Sequence, residues 1–511
     1  MSILTRHILE DGRREYILKS PVDLSSAGSF IATTKKEIVE AVDRGRLAQK
    51  KWSILSYKER AAYMHSMIDE IIKNQDEIME VVMKETGKPK TEALSMEVYA
   101  AVDSLSFYAK RAEKLLKPKR IKLHGVMNLL KKAMVLHKPL GVIGIITPWN
   151  GPFILALNPA VQALLAGNAV IIKPSEVTPF SSKLVEKLFL QSGLPDNLVQ
   201  VLVGDGQTGE DLVQSSVDKI SFTGSVATGK KVAMSCSEKL VPFTLELGGN
   251  DAMIVCDDAD IDKAASGALI GSCMNAGQYC CGTERIYVTE GNYDEFIKKL
   301  SHKASLLIQN GKENADVGSI VWDKQLMIIE EHVQLAIDAG AILHTGGKRN
   351  TSLPGLYFEP TVLSNVDHSM KIMNEETFGP IACVQKVIDE EEALMLANDS
   401  SYGLNGNIWT ENREKGIRLA NKLNTGAVSI NDMAMSYGVN EVPFGGIKNS
   451  GFGLVNGVEG LKGYCHPMPI ITERFSKGPV SEYPYSEKTV KDMQGAIKLF
   501  WGSKLIRKIF G

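Results

Sequence analysis

No stretch of roughly eighteen consecutive apolar residues occurs in the chain, so a membrane-spanning helix is not expected. The N-terminus has no uninterrupted hydrophobic run either. Arg6, Glu10, Asp11, Arg13, Arg14 and Glu15 break it up, which argues against a secretory signal. Cysteine is scarce, seven in 511 residues, too thin for a disulfide framework; a reduced, cytoplasmic setting is the simplest expectation. His-Glu-x-x-His is missing, and the adjacent pair Cys280 and Cys281 fits no usual zinc spacing, so no metal site is expected. A formal net charge of −2 supplies no basic field for nucleic acid. No segment repeats at a solenoid period, and no low-complexity tract stands out.

What remains is ordinary for a globular enzyme, with 44% hydrophobic and 23% charged residues. A chain of this length divides into two or more cores. From about Leu140, short apolar runs alternate with helical stretches. Strands are expected at Val142–Ile146, 169–172, 198–203, 219–222 and 243–245, with helices at 158–166 and 181–190 among those between them. That alternation implies βαβ units and a parallel sheet. A second α/β stretch begins near Ala252, after Gly248-Gly249. The region 36–116 reads as helical, and 121–139 as an extended arm.

Five short motifs carry chemistry. In Asn275-Ala276-Gly277-Gln278-Tyr279-Cys280-Cys281, a cysteine follows a glycine-containing bend that can expose it for attack on a carbonyl. A cysteine is otherwise most often a small buried hydrophobe. Glu246 lies between two leucines and before two glycines, either a partnered core carboxylate or a base with a raised pKa. Asn150, in Thr147-Pro148-Trp149-Asn150, follows a strand and suits either a turn or donation to a developing oxyanion. Lys173-Pro174-Ser175-Glu176 suits helix capping, or a cation and carboxylate gripping ribose hydroxyls. Phe222-Thr223-Gly224-Ser225, with Gly229 beyond, offers strand-to-helix N–H groups to a pyrophosphate, a weak signal alone.

Together, and in this order, these motifs resemble the aldehyde dehydrogenase superfamily from roughly residue 36 to 465. Glu375-Glu376-Thr377-Phe378-Gly379-Pro380, Tyr402-Gly403-Leu404 and Pro443-Phe444-Gly445-Gly446 through Gly451 extend the match. The resemblance implies the NAD-dependent, hydrolytic, non-CoA-acylating branch, with NADP also accepted by some members. It makes Cys280 the nucleophile, Glu246 the base for thioester hydrolysis, and Asn150 part of the oxyanion hole. It places Lys173 and Glu176 on the adenosine ribose and Gly224, Ser225 and Gly229 at the pyrophosphate turn. Glu376 and Phe378 fall at the nicotinamide, and Thr147, Trp149 and Leu247 along the cofactor.

The implied fold is α/β. A Rossmann-like cofactor domain spans 1–117 and 140–247, and a catalytic α/β domain 248–462. A small β oligomerisation arm takes 118–139 and 463–485, and a basic-apolar tail takes 486–511. The arm implies a homodimer or homotetramer. A CoA-acylating relative typically lacks the glutamate present here as Glu246. A non-catalytic member of the fold would be expected to lose Cys280, Glu246 or Asn150.

Two departures from the family pattern bear on the substrate. Cys273-Met274 stands where many members carry two aromatics, and the chain runs on into the tail. The stretch 432–437, at the family's tunnel loop, has two methionines and no cation. It suits an apolar long-chain, aromatic or isoprenoid (carotenoid) aldehyde better than a succinate-semialdehyde-type substrate. Read as one helix, 495–511 sets Trp501, Leu505, Ile506, Ile509 and Phe510 against Lys504, Arg507 and Lys508, with Ile497 and Phe500 intruding on the charged side. That pattern suits peripheral contact with a membrane, or packing on a partner subunit.

Overall fold

The computed structural model of the chain describes residues 2–125, 127–312, 314–433, 435–475 and 483–510. Two apolar cores form around two sheets. The first sheet is built from the runs expected to be strands: Val142–Ile146, Ala169–Lys173, Val199–Val201, Lys219–Thr223 and Phe243–Glu246. All five are parallel, and Gly451–Phe452 adds an antiparallel edge beside Phe243–Glu246. Val142–Ile146 lies between Ala169–Lys173 and Lys219–Thr223. The strand order therefore reverses at that centre, where open α/β sheets bind ligands beyond the strands' carboxyl ends.

Helices Ile154–Leu165 and Pro179–Gln191 cover this sheet, both beginning a few residues before the positions expected from the sequence. The region read as one helical stretch is several. Thr34 with Glu37 and Ser56 with Glu59 form reciprocal capping boxes that start two of them. A π-helical turn, Ala93–Tyr99, joins the last two, and such turns gather at functional sites. One element has no counterpart in the sequence reading, an N-terminal antiparallel sheet of Leu4–Ile8, Arg14–Lys19 and Ser26–Ile31. Arg14 and Tyr16 tie it to Asp205 in the first core.

The second sheet has seven strands, in the order Ile342–Thr345, Thr361–Ser364, Ile381–Val387, Thr283–Thr289, Asp251–Val255, Asn405–Trp409 and Ala427–Ile430. Only the first pair is antiparallel. The arm is a three-stranded antiparallel sheet of Lys119–Ile121, Lys131–Pro139 and Cys465–Glu473. Part of the expected second arm segment, 476–482, lies outside the described residues.

The tail departs from the single helix expected. Helix Glu487–Trp501 ends before Gly502 and Ser503, and Lys504–Phe510 starts anew. Glycine favours such a stop because its backbone loses more conformational freedom on entering a helix than any other residue's. The break resets the helical phase. Ile497 and Phe500 therefore belong with Val490, Met493 and Trp501 on one stripe, within roughly 100° of arc at 100° per residue. The side chains of Ile509 and Phe510 lie outside the described residues. No described helix is long and apolar enough to cross a membrane.

Candidate active site

Asn150, Lys173, Thr223 and Glu246 lie at or just beyond the carboxyl ends of neighbouring parallel strands. Cys280 and Glu376 face them from the second core. Together they line a cavity of about 990 Å³. Of the residues given a catalytic or cofactor-binding role from the sequence, all but Gly229 line this cavity. Gly229 instead lets its helix close on the sheet, since a Cβ there would stand 2.4 Å from Leu247 Cδ2.

The loop before Cys280 is held in a conformation that few sequences tolerate. Asn275, Ala276 and Gly277 have φ of 54°, 54° and 73°, three left-handed residues in succession. At Gly277 a Cβ would come within 1.9 Å of the Gly379 carbonyl oxygen, so only glycine fits. Polar side chains hold the bend. Asn275 Nδ2 donates to the Gln278 and Asn150 carbonyls at 2.8 and 3.0 Å. Gln278 Nε2 donates to Asn275 O at 2.9 Å, and Val321 N donates to Gln278 Oε1 at 2.8 Å. Glu92, pushed up to about 7 by burial, accepts from Asn275 N at 3.0 Å.

The two cysteines are chemically distinct. Cys280 is half-buried and lines the cavity, whereas Cys281 is fully buried. Their sulfurs are 3.6 Å apart. The Cys281 hydrogen bond, helped by the N–H groups of both residues and opposed by burial, holds the Cys280 thiol below its usual range. Burial pushes Cys281 far above it. The thiolate, which is the nucleophilic form, is thus favoured at the sulfur that faces the cavity.

Glu246 is 6% exposed, and among the described residues neither carboxylate oxygen has a hydrogen-bond partner. Burial first, and the nearby Cys280 charge second, raise its pKa well above the ordinary carboxylate value. Asn150 Nδ2 donates to Gln278 O at 3.0 Å. An amide nitrogen carries a second hydrogen, so one donor is left for a ligand.

The remaining wall suits a dinucleotide. Lys173 Nζ lies 3.6 Å from Glu176, and burial lowers its pKa. Ser225 caps helix Val226–Glu238 and turns that helix's N-terminal N–H groups toward the cavity end of the sheet, a ready anion site. Trp149 and Phe378 meet edge to face at 5.3 Å. Glu376 accepts from Gly249 N at 3.0 Å, and burial and Glu284 raise its pKa well above normal.

Three supporting residues escaped the sequence reading. Glu284 accepts from Thr377 N and Phe378 N, at 2.9 and 2.7 Å, and so fixes the backbone beside Glu376. Lys88 and Glu97 form a fully buried pair at 3.0 Å. Lys88 also donates to the Asn150 carbonyl, and Glu97 accepts from Phe153 N and Ile154 N at 3.1 and 2.9 Å. The available signal was Lys88, directly after the left-handed Gly87. Of the tunnel loop, Met433 is buried against the core and Tyr437 is the residue beside Cys280, while the Met435 side chain lies outside the described residues.

The aldehyde dehydrogenase family model matches residues 8–469. A 4,4'-diapolycopene aldehyde oxidase of Methylomonas sp is 38% identical over 485 residues, covering 94% of this chain and 91% of that protein. A Mycolicibacterium smegmatis protein, provisionally named a succinate-semialdehyde dehydrogenase [NADP(+)], is 36% identical and covers 86% and 85%. Among solved structures, a Mycobacterium tuberculosis aldehyde dehydrogenase complexed with NAD+ superposes with a TM-score of 0.85 at 32% identity, covering 89% of this chain and 94% of that one.

Proposed function

The chain belongs to the aldehyde dehydrogenase family, whose enzymes oxidise aldehydes to acids with NAD(P), and from that premise we propose that its own substrate is a long apolar aldehyde. We assign Cys280 as nucleophile, Glu246 as base and Asn150 as oxyanion donor. We assign 1–117 and 140–247 to the cofactor domain and 248–462 to the catalytic one, with Gly451–Phe452 and Leu461 returning to the cofactor side.

The cavity fits a dinucleotide on its own chemistry, with a Lys–carboxylate pair at one end and a helix N-terminus between that pair and Cys280. Lys173 and Glu176 hold the adenosine ribose, and Gly224 and Ser225 the pyrophosphate. Glu376 holds the nicotinamide ribose, while Thr147, Trp149, Leu247 and Phe378 flank the cofactor. When bound, NAD accepts the hydride that converts the thiohemiacetal to a thioester.

The Cys280 thiolate adds to the aldehyde carbon, and the oxyanion takes hydrogen bonds from Asn150 Nδ2 and the Cys280 N–H. Glu246 then removes a proton from water as that water attacks the thioester. An unpartnered, buried carboxylate is a stronger base than an exposed one, as this step requires.

The substrate reading is carried by one observation, the wall around Cys280. Leu155, Tyr437, Phe444 and Val455 form the apolar side of the small chamber beside the sulfur, Asn158, Gln162, Ser221 and Thr223 its uncharged polar side, and among the described residues no Lys or Arg lines it. A second carboxylate on the substrate would find no cation there and would face the Glu246 carboxylate. The diapolycopene relative supports the same class. The succinate-semialdehyde reading has a relative in its favour but no cation at the chamber.

The tail supplies a place to meet such a substrate. Helix Glu487–Trp501 has no buried residue, and Val490, Met493, Ile497 and Trp501 are 41–58% exposed. Six Lys or Arg and two carboxylates lie between 487 and 510. An amphipathic cationic helix of this kind sits at an anionic lipid surface, where each cation contributes about 1 kcal/mol. We assign subunit pairing to the arm, a reading supported by Ile121 and Ile471, 40% and 64% exposed on it. Seven free cysteines accord with a reducing, cytoplasmic setting.

The test is kcat/KM across short, aromatic, long-chain, polyene and carboxylate-bearing aldehydes, with and without anionic vesicles. Long apolar aldehydes should lead, and removing 487–511 should lower vesicle co-sedimentation and the rate on bilayer-dissolved substrate. Preference for the carboxylate-bearing aldehyde would overturn the substrate reading. Unchanged co-sedimentation after truncation, with a change in subunit assembly, would assign the tail to the partner instead.

A further inference from the structure

Strand Lys219–Thr223 lies inside the cofactor sheet with a parallel neighbour on each side. A strand so placed is ordinarily apolar on both faces. Here Ile220 and Phe222 point one way, while Lys219, Ser221 and Thr223 share the other by strand alternation. The adjacent strand continues the pattern, with Thr244 in register with Ser221 and Glu246 with Thr223. A polar row thus runs under the sheet from the buried lysine to the carboxylate.

Its members touch or share a space. Lys219 Nζ donates to Thr244 Oγ1 at 2.7 Å and lies 5.2 Å from the centre of the Tyr464 ring. Tyr464 donates its hydroxyl to Ser221 Oγ at 3.4 Å. Ser221, Thr223 and Glu246 then line a chamber of about 30 Å³, which Cys280 also borders. That volume holds one or two waters, and it is polar enough to keep them. Gln162, also on its wall, is 1% exposed, and its Oε1 has no partner among the described residues.

Lys219 is 4% exposed, and no described carboxylate pairs with it. A buried unpaired cation costs stability, and an apolar residue would fill the site better. Burial brings its pKa down to about 8, so the neutral amine is accessible near neutral pH. At the row's far end stands part-exposed Gly463, whose missing Cβ would be 3.7 Å from Lys219 Nζ.

We propose that Thr223, Ser221, Thr244 and Lys219, with the Tyr464 hydroxyl on Ser221 and water in the chamber, form a relay that carries the deacylation proton from Glu246 to solvent. The proposal rests on the reading of Glu246 as base. In that step the water oxygen bonds to the acyl carbon and one water proton passes to the Glu246 carboxylate. The C–S bond breaks with its electron pair left on Cys280 Sγ, and the product acid sheds its own proton as it departs. Glu246 must then lose the proton it took, yet it is buried. Each hydroxyl or water in the row accepts one proton and releases its own onward. The neutral Lys219 amine takes its proton from the Thr244 hydroxyl, becomes the ammonium and discharges beside Gly463.

The relay residues are tested by Tyr464→Phe, which keeps the ring under Lys219 and removes only the hydroxyl, and by Ser221→Ala and Lys219→Met. Acyl-enzyme formed by rapid mixing with aldehyde and NAD is quenched at intervals, and its decay is followed by intact mass in H₂O and D₂O. The NADH burst should keep its rate and amplitude. Deacylation should slow about tenfold or more, with a larger solvent isotope effect. If Lys219→Met does not fold, the two hydroxyl variants decide alone. Deacylation at the unaltered rate in all folded variants overturns the relay, as does a parallel loss of burst and deacylation. Normal deacylation in Glu246→Gln would overturn the base assignment itself. A stalled Glu246→Gln beside unimpaired relay variants overturns the relay only.

Discussion

Replacing Glu246 by Gln keeps the side chain's size and removes its basicity. The carboxylate is 6% exposed, has no described hydrogen-bond partner, and borders the same chamber as Cys280. General-base assistance contributes about 10²–10⁴ in rate. At 1.36 kcal/mol per decade that is about 2.7–5.4 kcal/mol of barrier. Acylation does not use the base, so stopped-flow should show a normal burst of NADH followed by turnover slowed by that factor. Stability supplies a second reading. The folded-state pKa of Glu246 lies above its unfolded value of 4.5, so the native state binds the proton more tightly. The penalty is absent below about pH 4.5 and grows as pH rises through the folded pKa. The Tm of Glu246→Gln minus that of wild type should therefore increase with pH from 4.5 upward. By the same shift, wild-type deacylation should fall as pH is lowered through the raised pKa, because only the carboxylate accepts a proton. A variant with full steady-state turnover would refute the reasoning.

Cys280→Ala should abolish oxidation while leaving NAD binding intact by calorimetry, whereas Cys281→Ala should keep most turnover, since Cys281 is fully buried and its thiol is raised by burial. Gly277→Ala combines a φ of 73° with a Cβ 1.9 Å from a backbone oxygen. It should cost about 2–5 kcal/mol by chemical denaturation, and where folded it should lower kcat about 100-fold through misplacement of Cys280. Glu176, beside Lys173, should favour NAD over NADP, since a 2′-phosphate would meet a carboxylate. Glu176→Ala should narrow the kcat/KM ratio, and an unchanged ratio would place the discrimination elsewhere.

The first sheet was legible because its strands are short, buried and rich in Val and Ile, and the structure places them within a few residues of expectation. Cys280, Glu246 and Asn150 stand out in the sequence because glycine or a strand end sits beside each, and all three line one cavity. What escaped depends on distance along the chain. Glu284 acts on Thr377 and Phe378, and Lys88 acts on Asn150, pairs that no local spacing reveals. Lys219 opens a strand in the sequence, but the polar face it belongs to is completed by Thr244, Tyr464 and Glu246, which are distant along the chain. A helix counted from Gly495 does not predict the faces of the tail. Its true start at Glu487 and its stop before Gly502 change which residues share a face.

The most direct test of the account is the site and identity of the covalent intermediate. Glu246→Gln mixed with NAD and a long apolar aldehyde, then quenched in acid and digested, should carry one acyl group on the peptide containing Cys280 and Cys281. Fragmentation should place it on Cys280, with a mass two hydrogens below that of the aldehyde adduct. NADH formed without that adduct, or an acyl group found on Cys281, would contradict the account.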